Sequence, residues 1–159
     1  MSVWACERMG VPLRVFECGT LFCYTQAMKT KLVRHFRELE VYQNGIDLTM
    51  RIFKISKNFP TEEKYSVTDQ IRRSSRSICA NIAEAWRKRR YKAALISKLS
   101  DAETEATETQ VWCEIAYLCD YIDKKTFLEL DDECDHVVSQ LVRMCDSADH
   151  WTLKPIQRS

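Results

Sequence analysis

Hydrophobic residues recur at helical spacing along most of the chain between residues 36 and 148, and this pattern predicts four long helices. The predicted helices run over about residues 37 to 58, from Ser66 to the polar run 87 to 90, from Tyr91 to near Asp123, and over about residues 125 to 148. Because the connections between them are short and polar, the pattern predicts an all-α protein built as an antiparallel up-down four-helix bundle.

Two local signals place the boundary between the first two helices. The first helix is expected to stop at Phe59, because a residue that precedes proline is disfavoured in the α region. The second is expected to start at Ser66, because Ser66-x-x-Asp69 resembles a capping box with Asp in place of Glu. The connection is therefore predicted near Pro60.

Each predicted helix has an apolar stripe that would form the core. The stripe of the first helix comprises Leu39, Tyr42, Ile46, Ile52, Phe53, Ile55 and Phe59, and that of the second Val67, Ile71, Ile78, Ile82 and Trp86. The third helix has a heptad seam of Leu95, Leu99, Ala102, Ala106, Thr109, Cys113 and Ala116, and the fourth has Phe127, Leu130, Cys134, Val137, Leu141 and Cys145. A second apolar set on the third helix, Val111, Trp112, Ile115, Leu118, Cys119 and Ile122, predicts a further surface to cover, within the bundle or in another subunit.

Residues 1 to 30 show no sustained period and are predicted to form an N-terminal extension, followed by the bundle over residues 31 to 150 and a tail over 151 to 159. The extension is interpreted as disordered or as a mis-called gene start, since Met28 is a second plausible start. An ordered arm packed through Trp4, Phe16 and Phe22 is the alternative.

The composition narrows the classes of function. With three glycines and three prolines in 159 residues, strand-rich folds and glycine-rich phosphate loops are disfavoured, and the chain has no Walker, G-x-S-x-G or G-x-G-x-x-G motif. The longest uncharged run near the N-terminus, residues 18 to 28, is too short to span a membrane. We therefore expect a cytoplasmic, non-enzymatic protein without a cofactor, whose seam cysteines Cys113, Cys134 and Cys145 are reduced core residues.

A metal site is also not expected. Glu133-x-x-His136 has the local spacing of a di-iron bundle site, but such a site needs a second Glu-x-x-His and two more inward glutamates. The remaining histidines, His35 and His150, are predicted near the ends of the bundle.

The formal net charge of +1 conceals two oppositely charged stretches. Residues 69 to 92 contain eight basic and two acidic side chains, whereas residues 93 to 135 contain twelve acidic and three basic ones. The candidate nucleic-acid-binding residues are Arg72, Arg73, Arg76, Arg87, Lys88, Arg89 and Arg90, because guanidinium groups along a helix can pair with successive phosphates. Alternatively, these arginines pair with the acidic surface, within a subunit or across an oligomer interface, and the residues alone leave both interpretations open.

Several segments of the chain resemble a known family. They are residues 36 to 43 (FRELEVYQ), Asn58-Phe-Pro60, residues 70 to 84 (QIRRSSRSICANIAE) and Glu108-Thr-Gln110. In this order and spacing they resemble the four-helix-bundle rRNA-intervening-sequence proteins of bacteria, a family that includes relatives of the accessory variability determinant of diversity-generating retroelements. The resemblance implies a homopentamer with basic surfaces and, for the retroelement relatives, binding of nucleic acid and of a reverse transcriptase.

Carried onto this chain, the resemblance makes Arg72 and Arg73 the motif arginines, and the other five candidate residues extend the same basic region. Cys79 stands where many relatives have proline and Ala85 where many have glycine, so the second helix is expected to run straighter and to continue through Trp86. The acidic third helix makes this chain less basic than the retroelement accessory protein.

The leading prediction is a homo-oligomer, a pentamer by resemblance, that binds RNA or DNA non-specifically through its basic helix face as an accessory to a reverse transcriptase or an rRNA-associated element. The alternative is a structural or scaffolding oligomer whose partner is a protein.

Overall fold

The computed structural model describes residues 33 to 153, and within this range every regular element is helical. Four long helices pack together: α1 (Glu40–Ile55), α2 (Val67–Lys88), α3 (Lys92–Leu118) and α4 (Lys124–Asp146). A short helix, α5 (Ala148–Trp151), follows α4. The predicted N-terminal extension and most of the predicted tail lie outside the described residues.

The long helices occupy the predicted segments, but α1 is shorter than expected. Its two ends are separate 3₁₀ turns, Phe36–Glu38 and Ser56–Asn58. Leu39 adopts an extended conformation that separates the first turn from α1, and Phe59 is extended before Pro60, as expected for a residue that precedes proline. As predicted from Cys79 and Ala85, α2 continues through Trp86 and ends at Lys88.

The predicted capping box at Ser66 is wrong. The Ser66 hydroxyl donates to the carboxylate of Glu63 and does not cap α2. Glu63 comes from an unpredicted 3₁₀ helix, Thr61–Tyr65, and its carboxylate also accepts the amide of Val67 at 3.4 Å. Glu63 therefore takes over the role that the sequence assigned to the serine.

Glu63 also ties this connection to the segment between α3 and α4. The Tyr121 hydroxyl donates to its carboxylate at 2.9 Å. The hydrogen bond from Ser66, followed by that from Tyr121, lowers the pKa of Glu63, and the same contact raises the pKa of Tyr121 to about 12. Asp123 caps α4, since its carboxylate accepts the amide of Thr126 at 2.7 Å.

The core is built around the contact between α2 and α3, the most extensive helix pair of the bundle. All seven residues of the predicted heptad seam of α3 are buried, and so are all five residues of the predicted α2 stripe. Ala102, Ala106 and Ala116 supply small side chains along the seam, which let the neighbouring helices approach closely. These two predictions are confirmed.

Two buried hydroxyl contacts fix the helices around this seam. The Thr109 hydroxyl donates to the Ser74 hydroxyl at 2.9 Å between α3 and α2, and the Thr49 hydroxyl donates to the Ser75 carbonyl at 2.8 Å between α1 and α2. The approach of α1 to α2 is close at Gly45, where an added Cβ would lie 3.2 Å from the Cys79 sulfur and 3.6 Å from the Ile78 side chain.

The second apolar set of α3 is only partly covered within the chain. Ile122 is buried and Trp112 and Ile115 are half-buried, whereas Val111 is 48% exposed and Leu118 is 70% exposed. Ile46, which the sequence assigns to the stripe of α1, is also exposed.

None of the helices in the described range is both long and apolar enough to cross a membrane.

The cysteines on the seams behave largely as small core residues. Cys113 and Cys134 are buried between α3 and α4, while Cys145 is half-buried. The neighbouring Cys113 thiol and burial raise the pKa of the Cys134 thiol. The Cys134 thiol is therefore protonated at neutral pH.

We expect Leu99→Ala to lower the free energy of unfolding by about 2 to 5 kcal/mol, because it leaves a cavity in the seam of α3. Leu128→Ala on α4 is the matched control, and since that side chain is exposed its effect should be within about 0.5 kcal/mol. Urea unfolding followed by circular dichroism measures both. Equal effects of the two substitutions would contradict this assignment of the core.

Candidate nucleic-acid interface

The basic residues predicted as a candidate site lie along the outer face of α2 and in the connection to α3. Arg73, Arg76, Arg87, Lys88 and Arg90 are exposed, whereas Arg72 and Arg89 are half-buried. Since α2 buries its isoleucine stripe against α3, the opposite face of the helix is left to solvent. Arg73 and Arg87 are about 21 Å apart along the helix axis, at 1.5 Å per residue.

Arg72 is held against α1 at one end of this face. Its Nε donates to the Ser56 hydroxyl at 2.7 Å, and its guanidinium lies 5.2 Å from the centre of the Phe53 ring. The ammonium of Lys57 lies 4.8 Å from the centre of the same ring. One aromatic ring thus holds two cations from two helices, and the basic surface extends from α2 onto the end of α1.

Sequence reasoning missed Phe53 and Lys57 as part of this surface. Both lie on α1 or in the turn that follows it, four residues apart, and this spacing places them on one helix face. That spacing was readable, but their proximity to Arg72 depends on how α1 packs on α2.

The other end of the basic surface is the connection between α2 and α3, called here the α2–α3 corner and comprising residues 86 to 91. The Arg89 guanidinium lies 3.5 Å from the centre of the Trp86 ring. The Arg89 carbonyl accepts the amide of Leu153 at 2.9 Å, which ties the C-terminal segment to the corner. Burial, followed by the positive charge of Arg87, lowers the pKa of Arg89.

Five carboxylates in the described range form ion pairs with cations outside the candidate set. Arg51 of α1 pairs with Glu129 and Glu133 of α4. Lys98 of α3 pairs with Glu84 at 3.0 Å and with Asp101 at 3.1 Å, and Lys92 pairs with Asp149 at 2.7 Å.

Between residues 33 and 153, none of the seven candidate basic residues makes an ion pair. The charge of Arg73 does act on Glu105 of α3. Burial and the neighbouring Glu108 raise the pKa of Glu105, and Arg73 opposes this rise only partly. The described range thus shows no ion pair between these basic residues and acids of the same subunit, and pairing across subunits stays a prediction.

The Glu133-x-x-His136 segment lines a groove of about 700 Å³ between α1 and α4. The Glu133 carboxylate accepts from Arg51, so it already has a cationic partner. Across the described part of the chain, no three His, Cys, Asp or Glu side chains are grouped so that they could hold a metal ion.

The comparison with protein families decides how this bundle is classified. The model of the 23S rRNA-intervening sequence protein family matches residues 37–143. The chain belongs to this family. No curated protein matches it. A crystal structure from Bacteroides thetaiotaomicron, described as a protein of unknown function from the S23 ribosomal protein family, is 29% identical with a TM-score of 0.61, and the match covers 67% of this chain and 95% of that one.

The match to the 23S rRNA-intervening sequence protein family includes α1 to α3 and most of α4, together with all seven candidate basic residues. Family membership, which the resemblance of the Gln70 to Glu84 segment predicts, is confirmed. Leu153, which contacts the α2–α3 corner, lies beyond the matched residues.

The contacts of Arg72 and Arg73 predict different roles for these two neighbouring residues. We expect Arg72→Gln to lower the free energy of unfolding by about 1 kcal/mol, because it removes one hydrogen bond and one cation–π interaction. Arg73→Gln is the matched control and should change the stability by less than about 0.5 kcal/mol. Denaturant unfolding of the two variants checks this, and an equal loss of stability in both would refute the structural role of Arg72.

Proposed function

We propose that this chain is a non-enzymatic protein that binds nucleic acid non-specifically through the basic surface of α2 and the α2–α3 corner. The observation that carries the proposal is the absence of ion pairs at the seven basic residues within the described range, although the same chain pairs Arg51, Lys92 and Lys98 with acids. Unpaired guanidinium groups on a rigid helix suit the evenly spaced phosphates of a nucleic-acid backbone.

The arrangement of aromatic rings supports the same proposal. Phe53 and Trp86 each hold an arginine at their face, one at either end of the basic surface. A stacked guanidinium has fewer orientations to lose on binding, and its N–H groups remain available in its own plane. Tyr91, the last residue of the corner, is 73% exposed and offers a ring on which a base can stack.

We further propose that the bundle is antiparallel and up-down, as the sequence predicts. Contacts between neighbouring helices pair residues in opposite chain directions: Asn44 with Gln140 and Arg51 with Glu133 for α1 and α4, and Ser74 with Thr109 and Asn81 with Lys98 for α2 and α3. Homo-oligomerisation belongs to the same proposal and is supported by the exposed apolar residues Val111 and Leu118 of α3.

The biological setting that we propose is the cytoplasm of a bacterium, where the protein serves as an accessory to an rRNA-associated element or to a reverse transcriptase. Membership of the 23S rRNA-intervening sequence protein family supports the first of these settings. The second follows from the resemblance to the retroelement accessory protein.

Fluorescence anisotropy with short labelled RNA and DNA tests the binding. We expect saturable binding of both, with a dissociation constant in the micromolar range at physiological ionic strength and a steep loss of affinity with salt. The double variant Arg73→Gln/Arg76→Gln should bind more weakly, and the slope of log affinity against log salt should fall by about 0.7 to 0.9 for each phosphate that the variant no longer neutralises.

The matched control for this experiment is Lys124→Gln/Lys125→Gln, which removes the same charge at the start of α4. It should leave both the affinity and the salt slope close to those of the unsubstituted chain. No saturable binding, or equal weakening by the two double variants, would contradict a binding surface on α2.

A scaffolding oligomer is the second candidate function, and the groove between α1 and α4 favours it. Three carboxylates from Asp47, Asp132 and Asp135 line this groove beside the Arg51 ion pairs. Its charge is complementary to the basic surface of α2 on a second copy of the chain.

The scaffold predicts that Arg73→Glu dissociates the oligomer, because it places a carboxylate against the acidic groove. Multi-angle light scattering measures the mass, with Lys124→Glu as the control for charge reversal. An unchanged mass for Arg73→Glu together with abolished nucleic-acid binding would refute the scaffold and favour the leading proposal.

A further inference from the structure

The α2–α3 corner contains a cavity of about 390 Å³ that the binding of an extended backbone does not account for. It is lined by Trp86, Arg87, Arg89, Arg90 and Leu153. Three of these five residues are arginines, and none is acidic. Ligand pockets in proteins begin at about 300 Å³, so the cavity has the size of a site for a small molecule or for one nucleotide unit.

The walls of the cavity are fixed by contacts on two sides. Arg89 is stacked on the largely buried indole of Trp86, at 3.5 Å from the ring centre. Its carbonyl accepts the amide of Leu153 at 2.9 Å, which holds the C-terminal segment against the corner. The guanidinium of Arg89 is therefore positioned before any ligand arrives, which lowers the entropic cost of binding an anion.

The positive charges of the corner are not neutralised by the described part of the chain. Arg87, Arg89 and Arg90 make no ion pair there, whereas the nearby Lys92 pairs with Asp149 at 2.7 Å. Together with Lys88, the three arginines place four like charges on four consecutive residues, and these charges repel one another. A bound anion relieves this repulsion, and it does so more strongly when it carries two negative charges than when it carries one.

We propose that this cavity binds a terminal phosphate monoester of a nucleic-acid strand, with the attached nucleoside lying against Leu153 and the edge of Trp86. This inference rests on the proposed function for the identity of the strand. It goes beyond that function because it assigns the corner a preference for strand ends, which the face of α2 does not have.

The charge of the phosphate is the reason for choosing a strand end. A phosphate monoester carries a charge of about −1.5 to −2 at pH 7, whereas a backbone diester carries about −1. Three guanidinium groups around one cavity match the monoester, while the exposed arginines spaced along α2 match successive diesters.

The test compares the affinity of one short oligothymidylate that carries a 5′-phosphate, a 3′-phosphate or hydroxyl groups at both ends. Anisotropy competition gives each affinity, and calorimetry with uridine 5′-monophosphate probes the cavity without a strand. We expect a phosphorylated end to strengthen binding about tenfold, the effect of one charge-assisted hydrogen bond.

The double variant Arg87→Gln/Arg90→Gln should abolish this preference for phosphorylated ends, and Arg73→Gln/Arg76→Gln should retain it while binding all three strands more weakly. Because the preference is a ratio within each variant, a general loss of positive charge does not produce the expected result. Circular dichroism of both variants confirms that they fold.

Equal affinities for phosphorylated and hydroxyl ends, or a preference that survives in Arg87→Gln/Arg90→Gln, would overturn the inference while leaving the proposed function intact. If no strand binds but uridine 5′-monophosphate binds in a way that requires Arg87 and Arg90, the proposed function fails and the phosphate site of the cavity stands. If neither binds, both fail.

Discussion

The packing of α2 against α3 is the constraint on which the rest of the structure depends. The alanines and Thr109 on the seam of α3 allow the isoleucine stripe of α2 to lie close to it, and every residue of both stripes is buried. Once this face of α2 is buried, its rotation about its own axis is fixed. As a result, the side chains of Arg73 and Arg76 are exposed to solvent. The basic surface is thus a consequence of core packing.

The same constraint explains how the charges are partitioned. Arg51 of α1 pairs with two acidic side chains of α4, Glu129 and Glu133, and Lys98 of α3 pairs with Glu84 of α2 and with Asp101 of its own helix. Those pairs are exposed or half-buried and contribute little to stability each. Their effect is instead on the electrostatic potential, because they neutralise carboxylates that would otherwise weaken the field of the basic surface.

Much of this fold follows from the sequence, because the spacing of apolar residues alone identifies the buried face of an amphipathic helix. The heptad seam of α3 and the stripe of α2 are predicted residue by residue for this reason. The failures occur where a contact joins segments that are distant in the sequence or where two local partners compete. Ser66 binds Glu63 because a 3₁₀ helix brings that carboxylate closer than the amides of α2. Ile46 fits the helical period but finds no neighbour to cover it.

The candidate site, too, has residues that the sequence predicts and residues that it does not. Its seven basic residues are visible in the sequence because they lie in one stretch of twenty-four residues, from 69 to 92. The two aromatic rings that position Arg72 and Arg89 are less visible, since Phe53 belongs to another helix and Trp86 reads as a core residue. Trp86 does both: it ends the buried stripe of α2 and supports a guanidinium at the corner. Because one ring serves the core and the surface together, the position of Arg89 is coupled to the packing of the bundle. Arg89 of the proposed anion site is therefore held more firmly than the exposed arginines of α2, and such positioning is what a preference for one kind of phosphate requires.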